Sequence, residues 1–179
     1  DGRQLSSQAW NKIALPTAVN LADAQPSALP NKQELRVNLT IARPSGRKVH
    51  RPYVAVWIEK PSGDYVRTLA VWGREAEYLR ELPKWWAIGR ARKNLVAQVT
   101  RASRGPGKYT LVWDGRDDAG KPMPPGAYVL KIEANREKGT YQHMTQKVEC
   151  DQKPVNLTMK GNTEIESAEL IYGPPPAQP

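Results

Sequence analysis

The sequence predicts an all-β protein, an antiparallel β-sandwich with a short helix in a long crossover, and three observations lead there. Leu35, Val37, Leu39 and Ile41 alternate with Arg36, Asn38 and Thr40, the period-two signature of a half-buried strand. Two β-rich runs, residues 53–58 and 65–72, flank a Lys60-Pro-Ser-Gly-Asp64 turn and read as a hairpin. Further short strands follow one another across turns, without the strand-helix alternation of a parallel sheet. Roughly seven such strands fit an immunoglobulin-like arrangement of two packed sheets.

Taken in order, residues 1–34 form a leader with Pro16, Pro26 and Pro30 among Ala, Ser, Asn and Gln, extended and docked on the surface, with an apolar patch at 13–15 as its anchor. The sandwich occupies 35–172. A basic loop from Arg43 to Arg51, broken by Pro44 and Gly46, precedes the hairpin. Residues 74–82 have helical propensity with Tyr78, Leu79 and Leu82 on one side; Pro83 is expected to end that helix, and the chain then crosses between sheets. Strands resume at 109–113 and 127–134, then at 142–149, 155–159 and 165–171. The tail 173–179, Gly-Pro-Pro-Pro-Ala-Gln-Pro, is unsuited to a sheet and reads as polyproline-like. Val37, Leu39, Val54, Val56, Leu111, Val129 and Ile132 are expected in the core, although Val129 and Ile132, three apart, fall on opposite faces of a regular strand.

At 179 residues and 20.0 kDa the chain suits one main core. Its apolar fraction of 39% and mean hydropathy of -0.66 can bury that core, and no apolar run approaches the ~20 residues of a spanning helix. It begins at Asp1, without initiator Met or apolar signal segment, as a processed or trimmed chain would. Six Trp and seven Tyr with no Phe mean that its aromatic side chains all carry a polar handle. The single Cys150 excludes an internal disulfide. A net charge of +9 and pI near 9.7 favour an anionic partner. The excess is concentrated: no acid lies between Glu81 and Asp114, a stretch holding Lys84, Arg90, Arg92, Lys93, Arg101, Arg104 and Lys108.

The segment Trp113-Asp-Gly-Arg-Asp-Asp-Ala-Gly-Lys-Pro122 has the chemistry of a turn. Asp114-Gly115 and Ala119-Gly120 supply residues that tolerate positive φ, Pro122, Pro124 and Pro125 fix φ before Gly126 releases the chain, and Trp113, Asp114, Gly115, Asp117, Gly120 and Gly126 are counted as its structural residues. Its carboxylates at 114, 117 and 118 lack the alternating spacing of a calcium loop, and Arg116 stands among them, so the structural reading is preferred. Only His50 and His143 offer imidazole. His143 and Cys150 are the metal candidates, with Met144 facing away from His143 on a regular strand, and no metal is assigned. No Gly-x-Ser-x-Gly, His-Glu-x-x-His, phosphate loop or Cys-x-x-Cys is present, and nothing selects a pair of acids for glycoside chemistry. No catalytic residue and no cofactor are expected.

The Asp-Gly-Arg-Asp-Asp turn with its following Pro125-Gly-Ala-Tyr128 resembles the strand-turn-strand of the immunoglobulin-like domain in flagellar hook-capping proteins. A wider resemblance, over about residues 35–141, is to a family of predicted periplasmic proteins of unknown function. It is carried by Arg51-Pro-Tyr-Val-Ala-Val-Trp-Ile-Glu59, by Val66-Arg-Thr-Leu-Ala-Val-Trp72, by Leu82-Pro-Lys-Trp-Trp86 and by the same turn. Members resemble partners of PepSY-type membrane proteins and flavin-transfer enzymes. The resemblance implies a periplasmic location near electron transfer or metal uptake, with no catalytic residues to carry over.

The crossover is the best candidate for partner contact. Lys84, Trp85, Trp86, Arg90, Arg92 and Lys93 put paired indoles beside cations, as a protein hot spot or a membrane interface requires, while a bland reading has the indoles capping the open end of the sandwich. The function expected is a non-catalytic periplasmic accessory subunit docking on a membrane protein or an acidic protein surface, with anionic lipid as another anionic match. A carrier of metal, haem or flavin is the alternative. Nucleic acid is set aside because no recognised binding module is present.

Overall fold

The computed structural model describes residues 27–43, 50–73, 76–137 and 139–176. Nine strands run through these residues: β1 (Glu34–Ile41), β2 (Tyr53–Glu59), β3 (Tyr65–Trp72), β4 (Thr100–Arg101), β5 (Gly107–Trp113), β6 (Gly126–Asn135), β7 (Tyr141–Cys150), β8 (Val155–Lys160) and β9 (Ile165–Gly173). They form a four-stranded sheet ordered β5-β1-β9-β8 and a five-stranded sheet ordered β4-β3-β2-β6-β7. Pairing is antiparallel except where the two-residue β4 runs parallel to the edge of β3. The protein is therefore an all-β sandwich of two sheets.

The main core lies between the sheets. β1 alternates strictly, with Leu35, Val37 and Leu39 fully buried, and faces Val54, Val56 and Ile58 of β2 and Leu130 and Ile132 of β6. Burying each such side chain stabilises the fold by about 1.5–3 kcal/mol. Trp113 closes one end, its ring edge-on to Tyr128 at 4.7 Å and its indole N–H donating to the Arg116 carbonyl at 2.8 Å. Leu29, from the end of the leader, enters the same core, and the Ala28 N–H donates to the Asp114 carbonyl at 2.7 Å. The apolar patch at 13–15 lies outside the described residues.

The hairpin forms as its turn chemistry predicts. Gly63 takes φ +90°, and backbone bonds link Lys60 with Gly63 and Asp64. Three expectations need correction. Val129 is not in the core: it faces outward between Glu59 and Lys147, while Tyr128, Leu130 and Ile132 point in, as the two-residue period requires. A short helix does stop just before Pro83, as expected, but the helical region does not end there. Pro83 opens α1 (Pro83–Gly89) after a 3-10 turn (Ala76–Glu81), a first-turn position where proline's missing N–H costs nothing, and α2 (Lys93–Val99) follows. Lastly, β9 extends through Gly173, which pairs with Glu34, so the tail leaves the sheet one residue later.

The helical segments do not cap the end of the sandwich. They lie on the outer face of the five-stranded sheet, where Leu79, Leu82, Trp85 and Val96 pack on Ala55, Trp57 and Val71 in a second core. β2 is consequently buried on both faces, from Val54 through Glu59.

Candidate functional site

The helical layer has two faces, and local chemistry separates them. Trp85, fully buried, points into the second core and donates from Nε1 to the Thr68 hydroxyl at 3.0 Å. Leu82 precedes α1 without a side chain able to cap it, so the helix would begin with orphan N–H groups. Glu133 of β6 supplies the cap from another element. Its wholly buried carboxylate accepts the Lys84 N–H at 3.0 Å, the Trp85 N–H at 2.8 Å and the Tyr141 hydroxyl at 2.8 Å. Burial and the bond to Glu133 push the Tyr141 hydroxyl well above its ordinary range. Alongside, Glu59 accepts the Trp57 indole N–H at 2.7 Å and pairs with Lys131 at 2.6 Å. Neither Glu133 nor Thr68 was a sequence candidate.

The opposite face is basic. Lys84, Arg90 and Arg92 are exposed, with Trp86 and Ile88 half-buried among them. Of the expected contact set, Lys84, Trp86, Arg90 and Arg92 are exposed or half-buried, with Lys84 on the side of His143 and Arg92 over Tyr65, whereas Trp85 is withdrawn from the surface because its indole anchors the layer. Lys93 opens α2, and its side chain lies outside the described residues. Arg101, Arg104 and Lys108 belong elsewhere, on β4, in the following loop and on β5.

Within the described residues none of Lys84, Arg90, Arg92, Arg101, Arg104 and Lys108 forms an ion pair. Arg92 lies over the Tyr65 ring at 4.8 Å and donates to the Ile88 carbonyl at 3.1 Å. Tyr65 in turn donates to Asp118, and burial with that bond pushes its hydroxyl well above the ordinary range. A cavity of about 330 Å³ lies at this junction, lined by Arg92, Asp117 and Asp118 among others. Acids of the turn therefore share this cavity with Arg92.

Residues 113–123 are hydrogen-bonded into one turn that includes Trp113, Asp114, Gly115, Asp117 and Gly120, while Gly126 begins β6 opposite Cys150. Asp114 accepts from Arg67 and from the Arg116 N–H, both at 3.1 Å, and Asp117 Oδ1 accepts the Ala119 and Lys121 N–H groups at 2.9 and 2.8 Å. Gly115 and Gly120 sit at φ +77° and +78°. These carboxylates hold the turn in shape and tie it to β3.

A larger cavity of about 1010 Å³ lies at the end of the sandwich, bounded by His50, Arg51, Tyr53, Tyr78, Glu81 and Asn135 among others. Its polar groups are engaged with one another: His50 approaches Glu137 at 3.5 Å, Arg51 donates to the Ser103 carbonyl at 3.3 Å, and Asn135 donates to the Glu81 carbonyl at 2.8 Å.

The two metal candidates cannot share an ion. His143 projects from the outer face of β7 toward Trp57, whereas Cys150, at odd spacing, is buried in the inter-sheet core. Burial pushes the Cys150 thiol up to about 12, helped by Glu149 and Asp151. His143 Nε2 is buried without a hydrogen-bond partner; burial first, then Lys84 and Lys131, hold the ring below its ordinary 6.5 against the pull of Glu59. Among the described residues no three His, Cys, Asp or Glu side chains converge on a metal position, and no helix is long and apolar enough to cross a membrane.

The model of one family, DUF2271, described as a predicted periplasmic protein, matches residues 34–167. No curated protein matches the chain.

Proposed function

The chain belongs to this family of predicted periplasmic proteins, and from that premise we propose that it is a non-catalytic binding subunit that docks on an acidic surface of a membrane-bound redox or transport partner. Its location is the periplasm. The supporting observation is the division of the helical layer: Leu82, Trp85 and Val96 fasten one face to the sheet while Lys84 and Arg90 stand exposed, without ion pairs among the described residues, on the other. A layer anchored this way loses little freedom on binding. The cations raise the encounter rate with an acidic surface, and the half-buried Trp86 supplies apolar contact that slows dissociation.

The non-catalytic reading is supported by how the acids are used. Asp114 and Asp117 tie the turn, Glu133 caps α1 and Glu59 holds Lys131. The choice of a redox or transport partner rests on the resemblance to proteins that accompany PepSY-type membrane proteins. We read the two-sheet architecture as immunoglobulin-like on its short strands and turns.

The test is co-sedimentation of the purified protein with membrane vesicles from the native source, untreated or shaved with protease, and with protein-free vesicles of phosphatidylglycerol and phosphatidylcholine. Binding to untreated vesicles that is lost on shaving supports a protein partner. Equal binding to the protein-free vesicles would overturn it in favour of lipid.

A further inference from the structure

The carboxylate that caps α1 stands beside a group that changes charge near neutral pH. Glu133 and His143 are directly opposite in the β6–β7 register, on the outer face of the five-stranded sheet, a placement that sets their Cβ atoms roughly 4.5–5.5 Å apart. Glu133 Oε1 accepts the Lys84 N–H and the Tyr141 hydroxyl, and Oε2 accepts the Trp85 N–H. The first turn of α1 therefore depends on one carboxylate. Across the strand pair, His143 Nε2 is buried with no hydrogen-bond partner among the described residues. A neutral imidazole can leave that nitrogen as an unfilled acceptor, whereas an imidazolium puts a donor there that must find an acceptor or water.

Among the described residues, the charged and titratable groups that face the ring come from four elements. They are Lys84 of α1, Lys131 and Glu133 of β6, Glu59 of β2, and Tyr141, two residues along β7 on the same face. Glu59 is already engaged, with Lys131 at 2.6 Å and the Trp57 indole at 2.7 Å, and Tyr141 donates to Glu133. An imidazolium at this position competes with α1 for Glu133 and repels Lys84, the second residue of that helix. Both effects fall on the same turn.

We propose that His143 is an acid-sensitive latch on the helical layer: its protonation draws the Glu133 carboxylate off the Lys84 and Trp85 N–H groups and lets the start of α1 lift from the sheet. In the fastened layer the ring resists protonation, first through burial and then through Lys84 and Lys131. Lifting hydrates it and separates it from Lys84, which returns it toward its ordinary 6.5. The lifted form thus binds the proton more readily. Above pH 6.5 the layer is fastened, and below it each pH unit raises the lifted fraction by up to about tenfold, until the fastened form binds the proton too.

Native-state hydrogen exchange follows the latch without any partner. Protection factors of the Lys84 and Trp85 amides, corrected for the intrinsic pH dependence of exchange, are measured from about pH 8 to about pH 5, the range in which histidine changes charge. In wild type they fall below pH 6.5 by up to about tenfold per pH unit and stay lower than those of β1, as local opening requires. His143→Phe keeps a ring but binds no proton, and holds them level. If that variant alters the fold, NMR titration of wild type decides: the Lys84 and Trp85 amide shifts follow the titration of His143 and not that of His50. Protection that stays level in wild type while His143 titrates, an equal fall in His143→Phe, or amide shifts that ignore His143 overturns the proposal.

Discussion

Replacing Glu133 should loosen the helical layer more than any other single change on the outer face of the sheet. Its carboxylate holds two backbone N–H groups of α1 and the Tyr141 hydroxyl, and it is wholly buried, so water cannot substitute while the layer stays in place. All three bonds end on the same carboxylate, and at about 1.5 kcal/mol each, the low end for a charged acceptor, Glu133→Ala costs about 4.5 kcal/mol if nothing replaces them. Part is recovered if α1 lifts and its N–H groups hydrate, and loss of an ordinary cap, about 1 kcal/mol, sets the floor. Glu133→Gln keeps one acceptor oxygen and should cost about half as much as Ala. At roughly 2–4 °C per kcal/mol for a domain of this size, about 4.5 kcal/mol lowers Tm by about 9–18 °C for Glu133→Ala. Differential scanning calorimetry measures the shift, and hydrogen exchange localises it to the Lys84 and Trp85 amides. If Glu133→Gln melts with wild type and those amides stay protected, Glu133 is not the cap.

Other outcomes follow from the same geometry. Gly120→Ala should cost about 1 kcal/mol for its positive φ alone, since nothing lies within 4 Å of the added carbon; Gly115→Ala should cost about 2–3 because its new carbon would also meet Leu29 at 2.5 Å, and equal costs by urea denaturation would refute the close approach. His143 is held below 6.5, so the unfolded chain binds its proton more readily; stability from this group is complete above pH 6.5 and is lost as pH falls toward its folded value. His143→Gln should therefore flatten part of the acid-side fall in Tm, and an unchanged slope would count against it. Cys150, with its thiol pushed up to about 12, should resist alkylation in the native protein and react at once in denaturant; rapid native labelling would contradict its burial.

Much of this fold was legible. The period-two run of β1, the Pro-Ser-Gly-Asp hairpin turn and the glycines of the 113–126 segment each predict local structure through a mechanism that acts within a few residues. The helical layer was less legible, although its trace is present. Tyr53-Val-Ala-Val-Trp-Ile58 is nearly continuous in apolar residues, as a strand covered on both faces should be, and the cover is the segment expected at the end of the sandwich. Pro83 can stop one helix or start the next, and local propensity does not choose between them. Glu133 was invisible because Lys131 and Glu133 alternate with core residues as solvated side chains would. Only the tertiary fold reveals that α1 begins above that carboxylate. The paired indoles divided for the same reason, since adjacent positions on a helix face different ways and the sequence does not say which is buried.

Docking through the exposed basic face is tested by the salt dependence of vesicle binding by charge-reversed protein. Wild type, Lys84→Glu with Arg90→Glu, and Trp86→Ala are titrated against untreated native membrane vesicles at rising ionic strength. Reversed charges should weaken binding strongly at low salt, with the difference closing as screening lengths fall from ~10 Å at 0.1 M salt to ~3 Å at 1 M. Trp86→Ala should weaken it by a similar factor at every salt concentration, because apolar contact is not screened. Charge-reversed protein that binds as wild type does at low salt would show the basic face to be only a solvated surface.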